Sequence, residues 1–504
     1  MKKVIILVPL FLILIIYGFS KNAHVVLGIN LLKTTYSAAN VFESKLEQKS
    51  CNNSFKNYLE QIKNVVVKDN SISEFIQNVD NPTILLKCNE LLGKKQGYNP
   101  ISKLSKFLVN QQLIISLVNN EFVKAGSEKA NIVIGFQNAA ELRSTGGLIG
   151  YYAILTVENG SLSNIRYLPN DQLPLSQITT SNYPDEFFKL YGDQLFASNL
   201  NDNASSHFPY AAQSLVEKFT KYLQEPVSMF MVIEPSEYWQ TYKLFNTNRD
   251  IDSKETFLQY IYSDLYKEFP EDQNKRYQSL ETLFPSLDQE LLNILSPRNA
   301  LKFYQEFTRS KSTHIYSTKK STNEILDAIN KSGNMDIDRG NVFVGLNNIG
   351  ENKLDQFLKT SMKYCYNSSQ ERLFLELTFA GDISRKVTLP NYMSRRGDLL
   401  MPNALPNSNR LMLSIDSPRY AKIDKFAVYS EIPIVNKSRF VNPLRGTQRE
   451  RDSILIPFEV LPDNVKTSVN ISFINVPSFD SSNLYVTNTL LGNKITANRS
   501  LCQT

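Results

Sequence analysis

Arg143-Ser-Thr-Gly-Gly147 is the segment of this sequence whose residue types come nearest to a binding site. Two adjacent glycines allow backbone dihedrals that other residues avoid, and they let amides approach an anion with no Cβ in the way. The same five residues also suit a plain tight turn between strands. Asn347 to Lys353, rich in Asn and Gly, reads in the same two ways, with a strand-to-helix turn as the simpler one. His207 precedes Pro209 and reads as the residue that opens a helix, since no acid or nucleophile accompanies it at a recognisable spacing. Arg395-Arg396 reads as a solvated loop pair. The cysteines are Cys51, Cys88, Cys365 and Cys502, with no Cys-x-x-Cys spacing, and the histidines are His24, His207 and His314, which argues against zinc. There is no Gly-x-Ser-x-Gly elbow, no P-loop and no His-Glu-x-x-His, which argues against the common esterases, NTPases and proteases.

The elements that must position these residues change character along the chain. Lys2 and Lys3 precede an uncharged, mostly apolar run from Val4 to Phe19, and no small-x-small cleavage pattern follows it. Residues 1–20 are therefore expected to stay as a membrane anchor, with the lysine pair inside and the body outside. Residues 25–125 read as a helical stalk, because Asn40 to Val66 and Ile101 to Val123 space their apolar residues by three and four. In an exported chain Cys51 and Cys88 could staple that stalk. From Ala130 the pattern turns to short strands: Asn131–Phe136, Tyr151–Val157, and Leu162–Leu168 returning after the turn signal Asn159-Gly160. A helix after Pro209 carries Ala212, Leu215, Val216, Phe219 and Leu223 on one face, and Val227–Ile233 is a central strand. Residues 130–365 thus read as one α/β domain with Val133, Ile154, Val216, Phe230 and Val232 in its core. Beyond Glu371 the period drops to two, in Leu373–Phe379, Phe426–Val435, Ile454–Val460 and Val469–Val476, so 371–480 reads as an antiparallel β-sandwich and 481–504 as a tail.

The chain has 504 residues, too many for one ordinary domain. With 42% hydrophobic and 21% charged residues it has a folded composition. A net charge of +6 with no dense basic block argues against nucleic acid and suits loose attraction to anionic lipids or glycans.

Three stretches carry a resemblance. They are Phe136-Gln-Asn-Ala-Ala-Glu-Leu-Arg-Ser-Thr-Gly-Gly-Leu-Ile-Gly150, the segment Asn199 to Pro235 with His207-Phe208-Pro209, and Val344 to Lys353. Together they resemble the bacterial membrane-anchored domain of unknown function family 4012. More distantly, the order of strand, arginine motif, hairpin and Pro169-Asn170-Asp171 is similar to LytR–CpsA–Psr phosphotransferases, which move a glycan from a polyprenyl diphosphate to the wall. With the elements read above, the expected fold is an α+β multidomain chain: membrane helix and stalk, a central α/β domain whose sheet the likeness implies is LytR–CpsA–Psr-like, and a C-terminal antiparallel sandwich. It implies a site in which Arg143 and Asp171 act in catalysis and Arg143, Gly146, Gly147, Asn170 and Arg276 bind the ligand. Asp171 would carry any Mg2+, since magnesium takes oxygen ligands shared with phosphates, and arginine forks suit phosphate oxygens. Two positions depart from the pattern: Thr145 or Gly146 stands where an Asp is expected, and Asn170 where an Arg is expected. A site so depleted would hold a metal–diphosphate pair weakly. The expected function is cell-envelope or surface-polysaccharide assembly by binding a polyprenyl-linked or wall glycan, with residual transfer activity. The rival is a non-enzymatic structural or adhesive surface protein.

Overall fold

The computed structural model describes residues 129–158, 161–173, 185–195, 203–234, 253–269, 272, 274–276, 278–279, 313–336, 340–399, 404–430, 442–486, 495–498 and 502. The expected anchor, stalk and Cys51–Cys88 bridge lie outside the described residues. Among the described residues no helix is long and apolar enough to cross a membrane. These residues form a mixed fold, mostly β, with few helices.

The first sheet takes β1 (Ala130–Asn138), β2 (Leu148–Glu158), β3 (Ser161–Pro169), β4 (Val227–Ile233) and β5 (His314–Ser317), in the order β3-β2-β1-β4-β5. Only β1 and β4 run parallel; the other pairs are antiparallel. Glu158 lies opposite Ser161, as the Asn159-Gly160 signal predicts. Two helices follow in sequence, α1 (Asp185–Leu195) and α2 (Phe208–Leu223). Pro209 sits in the first turn of α2, where its missing N–H is no loss, and Gln224 ends the helix in a left-handed conformation at φ 54°. The apolar stripe of α2 buries Ala212, Leu215, Val216 and Phe219 against Val133, Tyr152, Ile154, Phe230 and Val232. All five expected core residues are therefore buried. Each such side chain contributes roughly 1.5–3 kcal/mol of burial.

The sandwich pairs two five-stranded sheets. One has the order β11-β12-β9-β6-β14 and the other β10-β13-β8-β7-β15. Its strands are β6 (Val342–Asn348), β7 (Leu358–Asn367), β8 (Arg372–Gly381), β9 (Asn409–Asp416), β10 (Lys422–Ser430), β11 (Leu444–Gln448), β12 (Arg451–Val460), β13 (Thr467–Ile474), β14 (Leu484–Val486) and β15 (Ile495–Ala497). Leu373, Leu375, Leu377 and Phe379 of β8 meet Leu411, Leu413 and Ile415 of β9 and Ile454, Ile456 and Phe458 of β12 in one core.

Two boundaries differ from the sequence reading. β6 and β7, assigned there to the α/β stretch ending at 365, are hydrogen-bonded into the two sandwich sheets. The segment after 480, read as a tail, adds a parallel strand to each sheet, and Cys502 is disulfide-bonded to Cys365 with Cα atoms 5.6 Å apart. The reason is the pairing partner: short strands such as β14 and β15 are too brief to show a period.

All eight residues of β9 are buried. Leu411, Leu413 and Ile415 face the sandwich core, while Met412 packs with Phe187, Leu190 and Tyr191 of α1. The outer face of this sheet is thus covered by the preceding region of the chain. The helix α3 runs from Lys254–Gln259 through a π turn at Tyr260–Asp264 into Leu265–Glu268. Its Tyr262 joins the sandwich core, as do Ala139, Ala140 and Leu142 from the loop after β1. Further on lie α4 (Lys320–Ala328) and the short α5 (Asn391–Ser394).

Candidate functional site

The Arg143 segment is the loop between β1 and β2. Its shape is closed by backbone bonds from Glu141 N to Asn138 O (3.0 Å), Gly146 N to Arg143 O (2.8 Å) and Leu148 N to Glu141 O (2.8 Å). Gly146 has φ +142°, and a Cβ there would strike the Gln137 side chain. A Cβ on Gly147 would overlap the Asn138 carbonyl. These glycines therefore allow the loop to fold against its own strand. Gln137 donates to Thr145 O (3.1 Å) and Thr145 Oγ1 (2.7 Å), and Asn203 donates to Thr145 Oγ1 and Gly147 O, both at 2.8 Å.

The three stretches singled out in the sequence meet here. Asn347, at the end of β6, accepts from Ser144 N (3.0 Å) and donates to Ser144 Oγ (2.9 Å) and Ala204 O (3.1 Å). Gly345 on the same face leaves room for the Ser144 and Ser206 hydroxyls. Asn348 N donates to Leu142 O at 2.8 Å. Asp355 then closes the joint, accepting from Leu142 N (2.7 Å), Asn348 Nδ2 (2.8 Å) and Asn409 Nδ2 (2.7 Å). Burial pushes the Asp355 carboxyl up to about 7, against the N–H donors that favour its ionised form.

Arg143 is buried, at 2% exposure. Its guanidinium donates to Leu142 O (2.8 Å) and Asn348 O (3.3 Å) and pairs with Glu141 at 3.3 Å. The other oxygen of Glu141 takes Lys353 Nζ at 3.2 Å. Burial alone would raise the Glu141 carboxyl, but Lys353 and Arg143 hold it below the ordinary glutamate value. Lys353 Nζ lies 5.3 Å from the centre of the Tyr266 ring, and Arg276 lies 4.9 Å from the same ring on its own account. Tyr392 of α5 stacks on Tyr266 at 5.2 Å. Arg143 and Arg276 are thus linked through Glu141, Lys353 and Tyr266, while Arg276 also donates to the Phe269 carbonyl.

Asn170 opens a short 3-10 turn after β3, and its side chain donates to Ile149 O at 2.7 Å. Ile149 is paired with Gln137, the residue that holds Thr145, so Asn170 shares one end of the sheet with the Arg143 loop. The Asp171 side chain lies outside the described set. Magnesium does not fit the carboxylates brought together here: both oxygens of Glu141 meet cations, and both of Asp355 accept amide protons. Among the described residues no cluster of three or more metal-ligating side chains forms.

His207 opens α2 as the sequence suggests. Its ring is buried, Nδ1 accepts from Met335 N at 3.2 Å, and burial pushes its pKa down to about 3. Arg396 corrects the reading of a solvated pair. Its side chain is buried, bonding Asp398 (2.5 and 2.7 Å) and Glu459 (2.9 and 3.3 Å), and Glu459 also pairs with Arg410 at 2.7 Å. Sequence reasoning also missed Glu141, Lys353, Asp355 and Asn409. Arg410, Asp416, Ser453 and Glu459 on β9 and β12 are buried polar residues as well.

No curated protein and no solved structure matches the chain. Residues 127–237, which carry the Arg143 loop and the Asn203–His207 segment but not their bonding partners on β6, match the model of a family described as Protein of unknown function (DUF4012).

Proposed function

We propose that this chain is an extracytoplasmic protein of the bacterial cell envelope, held by its N-terminal apolar segment, which binds a wall or polyprenyl-linked glycan and does not transfer it. One observation carries this reading: the motif side chains are engaged by one another. A transferase needs an arginine fork turned to diphosphate oxygens and carboxylate oxygens left for a metal. Here Arg143, Glu141, Lys353 and Asp355 form a buried joint. The Cys365–Cys502 bridge supports export, because structural disulfides persist in oxidising compartments. The likeness to LytR–CpsA–Psr enzymes belongs to this reading as a scaffold, with an arginine loop after β1 and Asn170-Asp171 after β3.

A phosphotransferase-like reading is favoured by one fact, the linkage of Arg143 and Arg276 through Lys353 and Tyr266. The test is to supply the detergent-solubilised full chain with a polyprenyl-diphosphate oligosaccharide, Mg2+ and wall acceptor. No transfer is expected. Transfer that disappears in a folded Arg143→Lys protein overturns the binding reading. Protease added to protoplasts should digest the body, and full protection overturns the export.

A further inference from the structure

The sandwich carries a cleft that the motif cluster does not use. It lies between the 385–389 segment, the α5 end and the 404–407 segment, with a volume of about 800 Å³. That size falls in the range of small-molecule sites, roughly 300–1,000 Å³. Four cations line it, Arg385, Lys386, Arg395 and Arg396, and no lining residue is acidic. Two of the four are already matched. Arg385 pairs with Asp463, and Arg396 is locked to Asp398 and Glu459 beneath the cleft. Lys386 and Arg395 are exposed, and among the described residues no carboxylate pairs with either. Leucine and proline side chains form part of the wall, and Thr388 and Asn391 add neutral polar groups.

We infer that this cleft binds a small anionic saccharide, with Lys386 and Arg395 meeting the charge and Thr388 and Asn391 meeting hydroxyls. Three features argue for that class. Two unmatched cations with no acid in the lining favour an anion over a neutral ligand. The volume exceeds what a lone phosphate fills. Thr388 and Asn391 offer hydrogen bonds of both senses, as a polyhydroxylated ring requires. The buried Arg396–Asp398–Glu459–Arg410 group fixes the floor, so the cleft is formed before ligand arrives. A phosphate ester and a uronic carboxylate share this chemistry.

The inference rests on the binding role proposed above and names its ligand class. The test is calorimetric titration of the solubilised full chain with a hexose 1-phosphate, a hexuronate disaccharide, the uncharged hexose and inorganic phosphate. One or both anionic sugars should bind at least about tenfold more tightly than the hexose and the phosphate, and whichever binds identifies the source of the charge. A Lys386→Ala/Arg395→Ala protein should lose at least about tenfold, the scale of one charge-assisted hydrogen bond. Lys425→Ala, on β10 and not among the lining residues, should change nothing. Equal binding of hexose and anionic sugars, equal binding of inorganic phosphate, no binding, or indifference to the double substitution each overturns the inference. Loss of cleft binding with a protease-accessible body leaves the envelope assignment standing, and a protected body with an active cleft does the reverse.

Discussion

Replacing Asp355 with asparagine separates two forces that act on the joint. The carboxyl accepts three N–H groups, from Leu142, Asn348 and Asn409, and these favour the ionised form. Burial opposes them and holds the pKa at about 7, against 3.8 for an ordinary aspartate. The sign follows from linkage. Near pH 3 and below, the proton is on Asp355 in the native chain and largely on it in the unfolded chain, so titration costs little. Between about 4 and 7 the unfolded chain releases the proton and the native chain keeps it, so stability falls as pH rises. The total is about three pKa units, on the order of 4 kcal/mol by pH 8. The Asp355→Asn protein has no such loss. Its fixed cost is one mismatched amide, because Asn409 already uses its Oδ1 to accept from Arg410 N at 2.7 Å. That cost is about 1–3 kcal/mol at every pH. The variant should therefore be the less stable protein at pH 4, and the gap should close and reverse by pH 8. Glu141, whose lowered pKa loses stability in acid, is present in both proteins and cancels to first order. Urea midpoints by circular dichroism at half-unit pH steps read the difference. A gap that stays constant from pH 4 to 8 refutes the reasoning, since the N–H donors then outweigh burial and Asp355 is ionised throughout.

Asn347→Ala should destabilise the protein by about 3–6 kcal/mol, because it strands the Ser144 amide and hydroxyl and the Ala204 carbonyl; a loss below about 1 kcal/mol in urea unfolding contradicts the joint. Gly147→Ala should cost several kcal/mol where Gly150→Ala costs little, since the first Cβ meets the Asn138 carbonyl and the second meets open space; paired melting curves check it. Cys365→Ser with Cys502→Ser should cost about 5 kcal/mol by chain entropy, given the sequence separation of 137, and dithiothreitol should lower the midpoint of the wild type more than that of the variant. Arg396→Ala should cost about 3–5 kcal/mol by taking the guanidinium away from the buried carboxylates of Asp398 and Glu459, whereas a solvated arginine would cost almost nothing.

The sequence made β1 to β4 and α2 readable because their apolar runs and stripes are clean, as in Val227–Ile233 and the stripe from Ala212 to Phe219, while the four-residue β5 gave no such run. β9 was missed for the opposite reason. Asn409-Arg-Leu-Met-Leu-Ser-Ile-Asp416 mixes polar and apolar side chains and resembles a half-exposed strand, yet every residue is buried. Its polar face is covered by α1 and the segment before α2, which no local window can reveal. The three motif stretches were legible as a group, and their meeting point was not. Contacts such as Asn347 with Ser144 span 203 residues, and only the folded chain brings the partners together.

The position of the joint also bears on where a ligand must go. In open sheets, ligands favour the carboxyl ends of parallel strands at a switch in strand order. Here that place is the end of β1 and β4, since these two form the parallel pair and β2 and β5 flank them antiparallel. The loop leaving β1 there carries Ala139, Ala140 and Leu142 into the sandwich core, and Asn347, Asn348 and Asp355 bond its backbone. Opening that end to a diphosphate would expose apolar residues and leave several buried amides without partners. Each stranded amide costs about 1–3 kcal/mol, so the whole opening would consume much of a domain's stability of roughly 5–15 kcal/mol. On the proposed reading the ligand meets a surface other than this end of the sheet, and the cationic cleft beside α5 is formed without any such opening.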